Sequence, residues 1–206
     1  MKVIGVTGHS GSGKSTFAQL LSDTLVGSRF IRTDDLMYDS IRHYQRDFER
    51  IFGLSVSEKT GIMTFRQAGI EAGVCEWQEY LSVILPYMNS RINDVASDTS
   101  SPSNYIVVEW FHLPFTQAWN YSDCRILISA ADNDMRHEKL LARMLNREQY
   151  RQYSREDLQR TIKMKDRLSD QSFNALKSCI VVKNNYDNTL QLEATRLAMV
   201  LTGQPS

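Results

Sequence analysis

At 206 residues, 42% hydrophobic and 23% charged, the chain has the size and balance of one folded domain, and it differs from disordered, collagenous and membrane-spanning chains. Twenty-four basic residues meet twenty-four acidic ones, so no net field draws a polyanion, and neither nucleic acid nor an acidic membrane surface is an expected partner. Three widely spaced cysteines, Cys75, Cys124 and Cys179, make neither a disulfide framework nor a metal-binding CxxC pair, which makes a reducing cytoplasm the expected compartment.

The chain opens on a β-branched run at 3–7 that leads directly into a glycine-rich loop, so no secretory leader is expected. No apolar run approaches the ~18 residues of a membrane span. Further short strand-like runs lie at 29–32, 105–109, 125–129 and 179–183. Alternating with helical patterns, they predict a three-layer α/β fold with a five-stranded, mostly parallel sheet. The first helix carries Phe17, Leu20, Leu21 and Leu25 toward the sheet, and Gly27 marks its end.

About seventy residues separate the second and third strands, more than one crossover helix needs. Helical patterns at 36–52 and 76–96 predict a helical insertion there. Pro86 is expected to kink or break the second of these helices, and the polar stretch at 97–104 returns the chain to the sheet. Residues 132–168 are arginine-rich and helical with a polar break at 149–154, and Ser154 with Asp157 has the form of a capping box. Leu190, Leu197 and Val200 give a closing amphipathic helix that stops at Gly203. The expected organisation is a single domain over 1–206, with an inserted substrate-binding region at 35–103 and a lid at 132–168.

Gly8-His9-Ser10-Gly11-Ser12-Gly13-Lys14-Ser15 satisfies G-x-x-x-x-G-K-[ST] between a predicted strand and a predicted helix. Glycines let the backbone curl around phosphates and the helix N-terminus attracts them, so Gly11, Ser12, Gly13, Lys14, Ser15 and Thr16 are expected to bind ATP. Lys14 reaches for the β- and γ-phosphates, and Ser15 offers its hydroxyl to Mg²⁺. Asp34 and Asp35 follow the second strand at the sheet edge where open α/β folds bind ligands. Either suits an acceptor-orienting base, with Asp34 preferred; the alternative is that Asp34 caps the next helix. Glu109 ends the third strand, where a carboxylate can hold Mg²⁺. His112 could touch substrate, although a lone histidine among aromatics is more often packing, and it is left out of the catalytic set. Arg136, Arg143 and Arg147, at spacings of seven and four, are expected on one helical face, with Arg143 and Arg147 stabilising the transferring phosphoryl group.

With these residues in place the chain resembles the dephospho-coenzyme A kinase family over nearly its whole length. The resemblance rests on Ile4 to Thr16, Thr33-Asp34-Asp35, Phe52-Gly53, Gly61 to Arg66, Pro86, Arg143-x-x-x-Arg147 and Ile180 to Asn184. It implies transfer of the ATP γ-phosphoryl group to the 3′-hydroxyl of dephospho-coenzyme A, with Asn184 near the adenine. The chain departs from that pattern at Arg32, in the place of a first aspartate, at Leu85, in the place of a histidine, and at Glu109 to Leu113, which replaces Asp-x-Pro-Leu-Leu. Arg32-Thr33-Asp34-Asp35 is also similar to the acidic motif of uridine and nicotinamide riboside kinases, which makes a nucleoside-type kinase the second reading. A nucleotide-dependent switch is the third, disfavoured by the lid arginines. The expected partner is a small phosphoryl acceptor, and the oligomeric state is left open.

Overall fold

The computed structural model of the protein describes residues 1–53, 73–98, 103–173, 176 and 178–203. Its centre is one sheet of five strands, β1 (Lys2–Gly8), β2 (Ser28–Arg32), β3 (Tyr105–Glu109), β4 (Cys124–Ala130) and β5 (Ile180–Asn184), in the order β2-β3-β1-β4-β5. Every pairing is parallel. The sheet is therefore fully parallel, and the chain reverses its direction of winding at β1.

Strand registers place the carboxyl ends level with one another: Val6 and Arg32 both pair with Glu109, Gly8 pairs with Ile128, and Ala130 pairs with Asn184. Everything that follows these ends emerges along one edge beside the reversal point, the edge at which open parallel sheets take ligands.

Side chains alternate across the sheet and feed two cores. Ile4, Val6, Val107 and Ile126 pack against Phe17 and Leu21 of α1 (Lys14–Thr24), Leu25 just after it, and Ala194 and Ala198 of the closing helix α8 (Thr189–Thr202). Val3, Ile106 and Val108 face the other way. There they meet α2 (Thr33–His43), α3 (Gln45–Phe52) and the long α4 (Val74–Ser97). Each fully buried large side chain contributes about 1.5–3 kcal/mol, so the two faces together hold the three layers. Val200 departs from the expected stripe: it is exposed, and the small Ala194 and Ala198 make the close contact between α8 and the rest of that core.

Pro86 neither breaks α4 nor marks its end, since the helix runs from Val74 to Ser97 with the proline inside it. Tyr80, Ile84, Met88 and Ile92 are fully buried along one face on both sides of the proline, and that burial outweighs the one backbone bond that proline removes. The pattern at 36–52 is two helices that meet at Tyr44, and Gly53 closes the second with φ 62°. The Gly61 to Arg66 segment and residues 99–102 of the returning loop lie outside the described residues.

A short helix α5 (Gln117–Tyr121) precedes β4, and α6 (Asn133–Leu145) and α7 (Arg155–Phe173) form the hairpin over the sheet edge. The capping box is present: the Ser154 Oγ accepts from the Asp157 N–H at 3.1 Å, and Asp157 Oδ2 accepts from the Ser154 N–H at 3.3 Å. The hairpin has a small core of its own, including Leu140, Leu141, Met144, Leu158 and Ile162. Among the described residues no helix is long and apolar enough to cross a membrane.

Candidate active site

The loop after β1 is shaped by what surrounds it. A Cβ on Gly8 would lie 2.4 Å from the Ile128 carbonyl oxygen of β4, and one on Gly13, at φ 93°, would lie 2.6 Å from Asn184 Nδ2. Only glycine lets the chain pass this close to two neighbouring strands. Asn184 closes the arrangement from the end of β5. Its Nδ2 donates to the Ser12 carbonyl at 2.8 Å, and its Oδ1 accepts from the Tyr186 N–H at 2.7 Å. The Tyr186 hydroxyl donates to the Gly11 carbonyl at 3.1 Å. Asn184 is thus a clamp on the loop, with both ends of its amide engaged. Ser12 is part of the same brace: its N–H closes a turn on the His9 carbonyl, and its side chain is fully buried.

Gly11, Gly13, Lys14, Ser15 and Thr16 line an open cleft of about 630 Å³. The N-terminus of α1 opens into it without a side-chain cap, leaving unsatisfied backbone N–H groups and a partial positive charge. The uncapped helix end, the glycine cradle and Lys14 fit a polyphosphate. Lys14 Nζ lies 3.5 Å from Glu109 Oε1 at the end of β3, both side chains being largely buried.

Asp34 also lines the cleft. It sits in the first turn of α2, whose N-cap is Arg32, so its carboxylate is not a helix cap. The turn is held by the Thr33 hydroxyl, which donates to the Glu109 carbonyl at 2.6 Å, tying the acidic pair to the strand that carries Glu109. Asp35 begins the same turn beside Asp34.

From the hairpin, Arg143 and Arg147 reach the same cleft. Partial burial and the nearby Arg147 charge pull the Arg143 guanidinium below its ordinary value, with Tyr150 and Asp34 acting in the opposite sense. Arg136 does not line the cleft with them. It is 2% exposed, and its guanidinium grips Asp166 of α7 through bonds of 3.0 and 2.6 Å while donating to the Ser10 carbonyl at 3.0 Å. Arg136 and Arg143 keep their spacing of seven on α6, but α6 ends at Leu145, so the spacing of four does not place Arg147 on the same helical face. His137 adds a 2.6 Å contact to Asp166, and His9 pairs with Asp170 at 2.9 Å. Burial pushes the Asp166 carboxyl up, but bonds from Arg136 and His137 and the charges of Arg136 and His9 outweigh it, so the group titrates below its ordinary range. The phosphate loop is therefore latched to α7 at two points.

The lining is also aromatic, with Trp77 and Tyr80 from α4 and Trp110 and Phe111 from the segment after β3. Burial, reinforced by the Asp34 charge, pushes the Tyr80 phenol well up. His112 lines this part of the cleft and is 1% exposed. Burial, together with the charges of Lys14 and Lys165, pushes its imidazole down to about 3. The aromatic wall was not predicted from sequence; the one signal available was the Trp110-Phe111-His112 run directly after the carboxylate that ends β3.

This fold and this cleft define a P-loop small-molecule kinase. The chain belongs to the Phosphoribulokinase / Uridine kinase family, whose model matches residues 3–167. Among solved structures the fold is similar to TT1252 from Thermus thermophilus, with a TM-score of 0.64 at 19% identity over 100% of this chain and 98% of that one. It is also similar to shikimate kinase from Bacteroides thetaiotaomicron, with a TM-score of 0.54 at 13% identity over 98% of each chain.

Proposed function

We propose that the chain transfers the γ-phosphoryl group of ATP to the 3′-hydroxyl of dephospho-coenzyme A. The observation that carries the transfer chemistry is the convergence of Lys14, the Asp34 carboxylate and Arg143 with Arg147 on one cleft. The order of motifs from the glycine-rich loop to the R-x-x-x-R of the hairpin supports this acceptor. A nucleoside acceptor is the second reading, favoured by the family match over 3–167.

In this proposal the backbone of the loop and Lys14 hold the donor phosphates. The Ser15 hydroxyl and the Glu109 carboxylate are the hard oxygen ligands that would hold Mg²⁺, which would supply charge neutralisation of the phosphate oxygens. Asp34 orients the acceptor hydroxyl and takes its proton as the oxygen attacks the γ-phosphorus and the bond to the β-phosphate oxygen breaks, releasing ADP. Arg143 and Arg147 stabilise charge on the phosphoryl group in flight. Asn184 serves the nucleotide by fixing the loop. Residues 35–103 act as the acceptor-binding region and 132–168 as a lid that excludes water, the competing acceptor.

The test is ADP release by the purified protein with Mg-ATP, comparing dephospho-coenzyme A, a nucleoside panel and no acceptor. Stimulation by dephospho-coenzyme A supports the proposal, and stimulation by a nucleoside alone selects the second reading. ADP release that no acceptor accelerates sinks both.

A further inference from the structure

His112 lies in the turn between β3 and the 3-10 turn Leu113–Phe115. Its ring is held by aromatic neighbours: Phe111 at a centroid distance of 3.7 Å, and Trp110 edge-on at 5.4 Å. Neither His112 Nδ1 nor Nε2 has a hydrogen-bond partner among the described residues, and the Trp110 indole Nε1 has none either. Three ring nitrogens on two side chains whose ring centroids lie 5.4 Å apart are thus buried and unmet among the described residues.

Burying a polar group without a partner costs stability, and the great majority of such groups in folded proteins are paired. A histidine serving only the core would be expected to donate to a carbonyl or carboxylate, and this one does not. Both side chains instead line the cleft that holds Lys14, Asp34 and Arg143. The positive charges of Lys14 and Lys165 oppose protonation, so the imidazole keeps one donor and one acceptor nitrogen, whereas the indole offers a donor alone. A hydroxyl group, which both gives and takes a hydrogen bond, complements that pair. A phosphate does not, because it brings no proton for the acceptor nitrogen.

We propose that His112, assisted by Trp110, is the acceptor-specificity element of this kinase and binds a second hydroxyl of the acceptor's ribose. The hydroxyl donates to the unprotonated nitrogen of His112 and accepts from the Trp110 Nε1–H. The inference rests on the phosphoryl-transfer reading above, and both acceptors of that reading contain ribose.

The experiment uses the full chain with Mg-ATP, the ribose acceptor that stimulates it, and the 2′-deoxy or 3′-deoxy analogue that keeps the phosphorylated hydroxyl. The wild type is expected to disfavour the deoxy analogue by about ten-fold or more in kcat/KM, because the analogue leaves buried nitrogens unpaired. His112→Phe is expected to lose a similar factor on the full acceptor and to stop distinguishing the two, with KM for ATP unchanged. His112→Gln, which retains a donor and an acceptor, should recover part of the discrimination. Trp110→Phe removes only the indole N–H and should weaken discrimination on its own, which keeps the test available if His112→Phe misfolds. Wild-type discrimination retained in these variants overturns the inference while leaving the kinase reading intact. A wild type that no ribose acceptor stimulates overturns that reading, and this inference with it.

Discussion

Lys14 Nζ and Glu109 Oε1 stand 3.5 Å apart, joining the loop after β1 to the end of the adjacent β3. Glu109→Gln is expected to lower kcat by roughly 10²-fold or more through loss of charge stabilisation and to raise the Mg²⁺ concentration needed for half-maximal rate. Steady-state rates over a Mg²⁺ series check this; an unchanged Mg²⁺ dependence would count against a metal-holding role.

Asp34 lines the cleft from the first turn of α2. Asp34→Asn preserves shape and removes the proton acceptor, so kcat should fall by about 10²- to 10⁴-fold while ATP affinity, measured by calorimetry, stays near that of the wild type. Near-normal turnover would remove Asp34 as the base.

Arg143, in the last turn of α6, and Arg147, just past its end, both line the cleft. Each substituted by alanine should reduce kcat by about 10²-fold, the scale of one lost charge-stabilising donor, with a smaller change in KM for ATP. Equal losses in ATP binding and turnover would instead assign them to ground-state binding.

The Arg136–Asp166 pair holds α6, α7 and the Ser10 carbonyl together. Because the guanidinium is buried and the carboxylate nearly so, Arg136→Ala should destabilise the fold by about 3–5 kcal/mol, measurable by denaturant unfolding. Asp166 has a depressed native pKa. Its contribution is therefore fully present above its unfolded value near ~4 and is lost as pH falls through the lower native value. Asp166→Asn should remove that acid-sensitive component.

His112 gives a second pH signature with its own window. Its native pKa, about 3, lies below the unfolded value of ~6.5, so in the interval between them the unfolded chain binds a proton that the native state refuses. This contribution is complete above about pH 6.5 and declines below it by up to about 1.4 kcal/mol per pH unit. His112→Phe should flatten the plot of unfolding free energy against pH between 6 and 4. An unchanged slope would mean that the imidazole is not held neutral.

Much of the fold was legible because its signals are local. The glycine-rich loop is one strand, one turn and one helix, the five strands are runs of β-branched residues, and the Ser154–Asp157 box needs only three residues of separation. The sequence misled where the outcome depended on distant partners. Arg136 carries the same helical spacing as its neighbours, yet Asp166, thirty residues on, takes it out of the cleft. Pro86 is a helix breaker by its own chemistry, and only the apolar face that α4 buries against the sheet keeps it inside a continuous helix.

The sequence by itself determined the shape of the glycine-rich loop between β1 and α1, because that segment is contiguous backbone whose turns its own glycines dictate, and that shape makes it the expected polyphosphate site. It also determined the parallel α/β architecture, through the alternation of strand and helix patterns. Tertiary structure alone decided that Asn184 clamps the loop, that two of the three arginines reach the cleft, and that His112 is buried without a hydrogen-bond partner among the described residues. Each of these depends on which strands lie side by side and on which polar groups are left without water, and both follow from the order β2-β3-β1-β4-β5 rather than from any stretch of neighbouring residues.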